Sequence, residues 1–241
     1  MTEKLVLNSV VSYADVDRDE VLTLRGVFKL LQDAAIAHAN QFDAGTRAML
    51  TRGESWVLNR IAVEIARYPR YGEAVRLETW SSGIRGFKGY RDFRAQGADG
   101  AVWLRGSSLW LYVNARTKSI MRVPADVAAG FPARAGDVFC PELEKLEFAA
   151  PAAEAVRTAV TLRYADFDAN AHVNNTAYLD FVQTALAGAG LTARPAGVRV
   201  NYAKGIADGA TAVNVRTEPV AGGARFSVEC DGTVCAAGET R

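Results

Sequence analysis

The segment Tyr13-Ala14-Asp15-Val16-Asp17 returns as Tyr164-Ala165-Asp166-Phe167-Asp168, 151 positions later in a chain of 241 residues. A repeat at a fixed offset makes the chain two copies of one supersecondary unit, which restricts the fold more than any composition does. The match persists: Val27–Ala34 lies against Tyr178–Ala185 at the same offset, with Gln32 opposite Gln183. Both stretches read as helices by the spacing of their apolar residues. Val27, Leu31, Ala34, Ala35, His38 and Phe42 share one face of the first, and Tyr178, Phe181, Val182 and Leu186 one face of the second.

Each helix is followed by alternating apolar runs, Ile61–Ile65 in the first copy and Val198–Tyr202 in the second. A glycine turn (Gly72, Gly209) then leads into Val75–Trp80 and Val213–Thr217. Asp99-Gly100 and Asp231-Gly232 each sit between alternating residues, a hairpin signal. Each copy is thus a short strand, a long apolar helix and an antiparallel sheet, an α+β unit of the hot-dog type. One such unit leaves a sheet edge exposed, so units of this type pair. Two in tandem predict a double hot-dog, with two long helices packed on a continuous curved antiparallel sheet. Residues 124–157 hold four of the seven prolines and keep no periodicity, so they read as a linker over the surface. The expected division is a first unit over 1–130, a linker over 131–157 and a second unit over 158–241.

Composition narrows the function classes. A hydrophobic content of 49% and a charged content of 23% are globular values. A net charge of +1 gives no general reason to bind nucleic acid or a membrane surface. Residues 1–136 carry a net +5 and residues 137–241 a net −4, which suits an acidic partner for the first half or is ordinary surface variation. No run has the length of a membrane span. Met1–Leu5 shows no basic region followed by an apolar stretch, so a cytoplasmic protein without a leader is expected. Cys140, Cys230 and Cys235 read as free thiols. With only His38 and His172 beside them, no zinc spacing can be assembled, and neither metal nor cofactor is expected.

The chemistry-bearing stretch is Asp166–Asn175, just ahead of the second helix. Asp168, Asn170 and His172 are spaced by two, which in an extended segment presents a carboxylate, an amide and an imidazole on one side. They precede a helix N-terminus, whose unpaired N–H groups favour negative charge, a setting for a tetrahedral oxyanion. The first half is an internal control: Asp19 and Val21 stand where the second has Asn170 and His172. The plainer alternative is that Asn174 or Asn175 caps the helix and His172 is a turn residue.

The stretch Asp168-Ala169-Asn170-Ala171-His172-Val173-Asn174-Asn175, followed by Tyr178, resembles the catalytic loop of acyl–acyl carrier protein thioesterases, the plant and bacterial fatty-acid-releasing type. Trp56–Arg60, Val63-Glu64, Tyr68-Pro69, Tyr71-Gly72, Arg91-Asp92-Phe93 and Ser107–Trp110 are similar to that family as well, so the likeness runs from about Tyr13 to Asn214. The resemblance implies hydrolysis of a fatty acyl thioester on acyl carrier protein, with catalytic roles for Asp168, Asn170 and His172. It leaves open which of Asp168 and His172 is the general base, and it leaves a homodimer open. The first unit, without the polar set, is expected to supply the acyl tunnel. One departure stands out: the family usually carries Glu where this chain has Gly205. If the relay is incomplete for that reason, Gly205→Glu is expected to raise turnover; if Asp208 substitutes, it should not. An acyl-CoA thioesterase on the same fold and a non-catalytic acyl-binding protein are the competing readings.

Other features weigh less. His38, on an apolar helix face, reads as a core histidine with a local hydrogen bond. Gly83, Gly86 and Gly89 lack nucleotide-loop spacing and read as a flexible strand connection. Arg85, Lys88, Arg91 and Arg94 read as a solvated sheet edge or a contact for an acidic carrier. The four tryptophans read as core, some of them lining the tunnel.

Overall fold

The computed structural model describes residues 4–42, 44–133 and 138–241. The reading of Met1–Glu3 as a leader-free start and of positions 134–137 as linker falls outside those residues. The first half runs β1 (Lys4–Val10), α1 (Leu24–Asn40), α2 (Thr46–Thr51), β2 (Glu54–Ile65), β3 (Ala74–Arg85), β4 (Lys88–Gln96) and β5 (Val102–Asn114). A short α3 (Ala125–Ala129) follows. The second half runs β6 (Val156–Thr161), α4 (Asn175–Gly188), β7 (Gly197–Tyr202), β8 (Ala212–Val220), β9 (Gly223–Cys230) and β10 (Thr233–Thr240).

All ten strands belong to one sheet in the order β1-β3-β4-β5-β2-β7-β10-β9-β8-β6. Read outward from the β2–β7 seam the two halves have the same order, as a duplicated unit requires. The seam is antiparallel, with Arg60 opposite Asn201 and Val63 opposite Val198. At a bulge between Leu58 and Arg60 the Asn59 amide turns across the seam and donates to Asn201 Oδ1 (3.3 Å) and the Tyr202 carbonyl (3.2 Å). Both predicted Asp-Gly hairpins are present, and Asp231 (φ 48°) and Gly232 (φ 73°) take the left-handed pair that a tight hairpin needs.

Both long helices lie on one face of the sheet. Thr23 caps α1 by accepting from the Gly26 N–H, and Asn174 caps α4 by accepting from the Thr176 N–H. Their apolar stripes bury Val27, Leu31 and Ala34 of α1 and Phe181, Val182 and Leu186 of α4 in one continuous core. Fully burying a side chain of this size contributes about 1.5–3 kcal/mol. The helices end differently for a reason written in the sequence. Gly190 (φ 70°) closes α4, with the Leu191 N–H returning to the Leu186 carbonyl. Ala37 and Ala39 stand where α4 has Gly188 and Gly190, so α1 runs three residues longer at the same offset and is followed by α2. First-half strands are longer too: β2 and β5 have 12 and 13 residues against 6 and 8 for β7 and β10. The added helix and strand length wrap a space that the second half does not enclose.

The stretch between the halves does more than drape. Cys140 and Leu143 are buried with Ala62 and Leu109 on the sheet face turned away from the helices. The Cys140 N–H donates to Ser107 Oγ (2.9 Å) and the Phe139 N–H to Asp92 Oδ1 (3.0 Å). Apolar side chains on the outer face of the first-half sheet need cover, and this segment supplies it.

Candidate active site

A cavity of about 270 Å³ opens between α1, α2, the first-half strands and the turn that leads into α4. Its walls are apolar: Ile36, Met49, Trp56, Ile84, Trp110 and Phe131 line it. The second half brings Asp168, Asn170, Asn174 and Asn175 to it, and the first half adds Gln32 of α1 with Ser55, Ser81, Tyr90 and Arg91 of the strands. The second half thus contributes only its turn and the start of its helix. Two of the four tryptophans, Trp56 and Trp110, line the cavity; Trp80 and Trp103 are buried core.

The turn itself is tighter than the spacing of two suggests. The segment is not extended. Asp168 N–H donates to the His172 carbonyl (2.8 Å), and Ala171 sits at φ 57°. Asp168 Oδ1 accepts the Asn170 N–H at 2.8 Å, and His172 Nδ1 lies 2.7 Å from the Asn170 carbonyl. Short polar side chains closing their own turn in this way are a general device. The first half folds the same turn: Asp17 Oδ1 accepts the Asp19 N–H (2.9 Å), Asp17 N–H donates to Val21, and Glu20 sits at φ 60°.

The two turns differ in one oxygen. Asp17 Oδ2 is taken by Arg194, at 2.6 Å from Nη2 and 3.1 Å from Nε. Asp168 Oδ2 makes no hydrogen bond or ion pair among the described residues, and Asp168 lines the cavity. One copy of a structural turn has therefore kept a carboxylate oxygen uncommitted at the mouth of an apolar space.

The three residues singled out by sequence separate here. Asp168 and Asn170 line the cavity, whereas His172 does not. The imidazole lies over Gly205: a Cβ added there would stand 2.9 Å from His172 Cδ2 and 3.6 Å from Nε2. This revises the expectation for Gly205→Glu. The space beside Gly205 is filled by the ring, so the side chain must displace His172 before it can do anything else. Gly205→Ala and Gly205→Glu are both expected to lower turnover, by up to the factor that His172→Ala gives. Parallel thiol-release assays on the three variants check this; faster release by Gly205→Glu overturns it. Asp208 does not line the cavity; its Oδ1 accepts the Gly209 N–H at 3.0 Å and its own N–H donates to the Ala171 carbonyl at 2.9 Å.

The fold also fixes where the other residues picked out by sequence lie. Asn174, not Asn175, caps α4 by its side chain. His38 is a core residue, and its partner is Arg91, whose Nη1 donates to His38 Nδ1 at 2.9 Å. Burial, with the Arg91 charge beside it, pushes the His38 pKa down to about 4, so the ring is neutral. The basic group along the β3–β4 hairpin is not a sheet edge. β4 lies between β3 and β5; Arg91 is buried, Arg94 pairs with Glu78, Lys88 pairs with Glu144, and exposed Arg85 lies over Tyr90. The three thiols are buried and none lines the cavity. Burial pushes Cys140 up to about 11. Sequence reasoning missed Gln32 as a cavity residue, although its alignment with Gln183 was the available signal.

A tandem hot-dog with one polar turn at one apolar cavity defines the class. Residues 6–131 match the acyl-ACP thioesterase N-terminal domain and residues 149–238 the acyl-ACP thioesterase C-terminal domain. The chain belongs to the acyl-ACP thioesterase family. It is 28% identical over 188 residues to a chloroplastic acyl-[acyl-carrier-protein] hydrolase of Cuphea viscosissima, covering 72% of this chain and 45% of that protein. It is 31% identical over 182 residues to the chloroplastic dodecanoyl-[acyl-carrier-protein] hydrolase of Cinnamomum camphora, covering 70% of this chain and 47% of that one. The chain thus spans under half the length of these relatives. The fold matches an acyl-ACP thioesterase from Bacteroides thetaiotaomicron, with TM-score 0.85 and 20% identity over 100% of this chain and 99% of the other. It also matches the 12:0-ACP thioesterase from Umbellularia californica, with TM-score 0.84 and 20% identity over 100% and 97%. Among the described residues no helix is long and apolar enough to cross a membrane.

Proposed function

We propose that this chain hydrolyses fatty acyl thioesters carried on acyl carrier protein and releases the free fatty acid. The observation that carries the reading is the uncommitted Asp168 oxygen at the mouth of an apolar cavity, where the sister turn has that oxygen bound by Arg194. The acyl chain lies along the apolar side chains of the first-half wall, among them Ile36, Met49, Trp56, Ile84 and Phe131. The thioester carbon stands at the start of α4, whose first N–H groups point toward developing negative charge.

Water attacks that carbon, its proton passes to Asp168, and the carbonyl electron pair moves onto oxygen. Collapse reforms the carbonyl, breaks the carbon–sulfur bond and sends the electron pair out on sulfur, which takes the proton. A thiol leaves with little acid assistance, so a sparse site suffices. Asn170 presents its amide beside Asp168, and His172 holds the turn by its contact with the Asn170 carbonyl. The cavity-lining position of Asp168 supports it over His172 as the group that receives the proton. General-base help of this kind is worth about 10²–10⁴-fold. A cytoplasmic location belongs to the same proposal, supported by three unpaired cysteines.

The test is thiol release from acyl carrier protein and from CoA thioesters over a range of chain lengths and salt concentrations. The expected result is turnover of the carrier substrate, with kcat/KM falling steeply as salt screens the protein–protein encounter. Equal use of CoA substrates with a flat salt response identifies an acyl-CoA thioesterase instead, and acyl binding without thiol release identifies a non-catalytic binding protein.

A further inference from the structure

The two halves treat one pair of glutamines differently. In the second half, Gln183 of α4 reaches across to the start of α1. Its Oε1 accepts the Leu24 N–H at 3.0 Å, and its Nε2 donates to the Ala193 carbonyl at 2.8 Å. The first N–H of α1 and both ends of that carboxamide are thereby satisfied. The 151-residue offset that relates Asp17 to Asp168 also relates Gln32 to Gln183 and Leu24 to Asn175. The symmetric bond would therefore run from the Asn175 N–H to Gln32 Oε1.

That bond is not made. Among the described residues neither the Gln32 side chain nor the Asn175 N–H has a hydrogen-bond partner, and both residues line the cavity that holds Asp168. The local structure gives no reason for the loss. Asn174 caps α4 as Thr23 caps α1, and the turns before them are alike. What differs is the cavity itself, which lies between Gln32 and the start of α4. Gln32 and Asn175 are half-buried and both line the cavity, so the pair left open there is placed to receive a ligand atom.

We infer that Gln32 is a catalytic residue of the reaction proposed above: its Nε2–H and the Asn175 N–H together receive the thioester oxygen as it becomes an oxyanion. No proton is transferred; both groups donate hydrogen bonds while the carbonyl pair moves onto oxygen, and both release the oxygen when the carbonyl reforms. The first half thus contributes more than an acyl wall. It lends one polar side chain across the pseudo-two-fold axis, in the way Gln183 is lent in return for structure.

The inference rests on the hydrolase reading, and the experiment keeps the two separate. Gln32→Ala, Gln32→Glu and Gln183→Ala are assayed beside wild type for thiol release from an acyl carrier protein thioester and for thermal unfolding. Removing one oxyanion donor lowers kcat by about 10²–10³-fold. Gln32→Ala and the isosteric Gln32→Glu are each expected to show such a loss in kcat, with KM within threefold of wild type and an unchanged melting temperature. Gln183→Ala is expected to do the reverse, lowering the melting temperature and leaving kcat unchanged. If Gln32→Ala does not fold, the isosteric Gln32→Glu decides alone. An active wild type with Gln32 variants at its rate overturns the role of Gln32 and spares the hydrolase reading. A wild type that releases no thiol from any acyl thioester overturns both.

Discussion

Asp168→Asn is expected to lower kcat by about 10³-fold, within the range that loss of a general base gives, and to leave the melting temperature near wild type. Asn keeps the side-chain oxygen that accepts the Asn170 N–H, so the turn still closes. What disappears is the charge on the one oxygen that has no partner among the described residues. Asp17→Asn makes the same change in the sister turn, and there the lost charge faces Arg194 instead of the cavity. Its effect should fall on stability alone and be small, about 1 kcal/mol or less, because both partners are partly exposed. Thiol-release rates and unfolding midpoints of the two variants are the measurement. Asp168→Asn at the wild-type rate, or equal kcat losses in both variants, would remove Asp168 from the chemistry.

The architecture was legible because the duplication is written in side chains that build turns and helices. Tyr-Ala-Asp-x-Asp fixes a turn, and the Gln32 and Gln183 helices share a register, so both copies fold alike and dock about the β2–β7 seam. The first half marked the turn holding Asp168 and Asn170 as different from its own, and both residues line the cavity. His172 does not share their face, for a local reason. A spacing of two means a common face only in extended chain, and Asp168 closes a turn that puts Ala171 in the left-handed region and leaves the imidazole over Gly205. The cavity was visible only in part. Its existence depends on two alanines at the end of α1 replacing the glycines that stop α4, and on strands that outrun their partners by several residues. No single position announces that. The glutamine pair shows the remaining gap: the residues match in kind and position, and only the folded chain reveals that one is bonded and the other open.

Asp166→Ala is expected to destabilise the chain by about 1.5–3 kcal/mol, the scale of hydrogen bonds made to a charged group, because the guanidiniums left behind are partly exposed. Asp166 is fully buried at the joint between the halves. Its carboxylate accepts from Arg163 Nη2 (2.9 Å), Arg163 Nε (3.1 Å) and the Arg163 N–H (2.8 Å). Arg25 of α1 reaches it from the other half at 3.1 Å, and the same guanidinium donates to the Ala165 carbonyl. Removing the carboxylate leaves Asp180 as the one carboxylate, among the described residues, paired with the two guanidinium groups. Among the described residues the counterpart Asp15 carboxylate pairs with Lys29 alone, itself half exposed, so Asp15→Ala should cost under about 1 kcal/mol. The acid limb of stability carries the same signature. Burial raises the Asp166 pKa, but the Arg163 hydrogen bonds and the Arg163 and Arg25 charges outweigh it, and the folded-state value lies below the ordinary one. A depressed carboxylate stabilises fully above its unfolded pKa of about 3.9, and that contribution is lost as pH falls through the lower, folded value. Urea unfolding of wild type and Asp166→Ala should therefore show their full gap near pH 7, begin to converge below about pH 4 and meet only below the depressed folded pKa. A gap independent of pH would mean that the lost packing, and not the charge, holds the two halves at this joint.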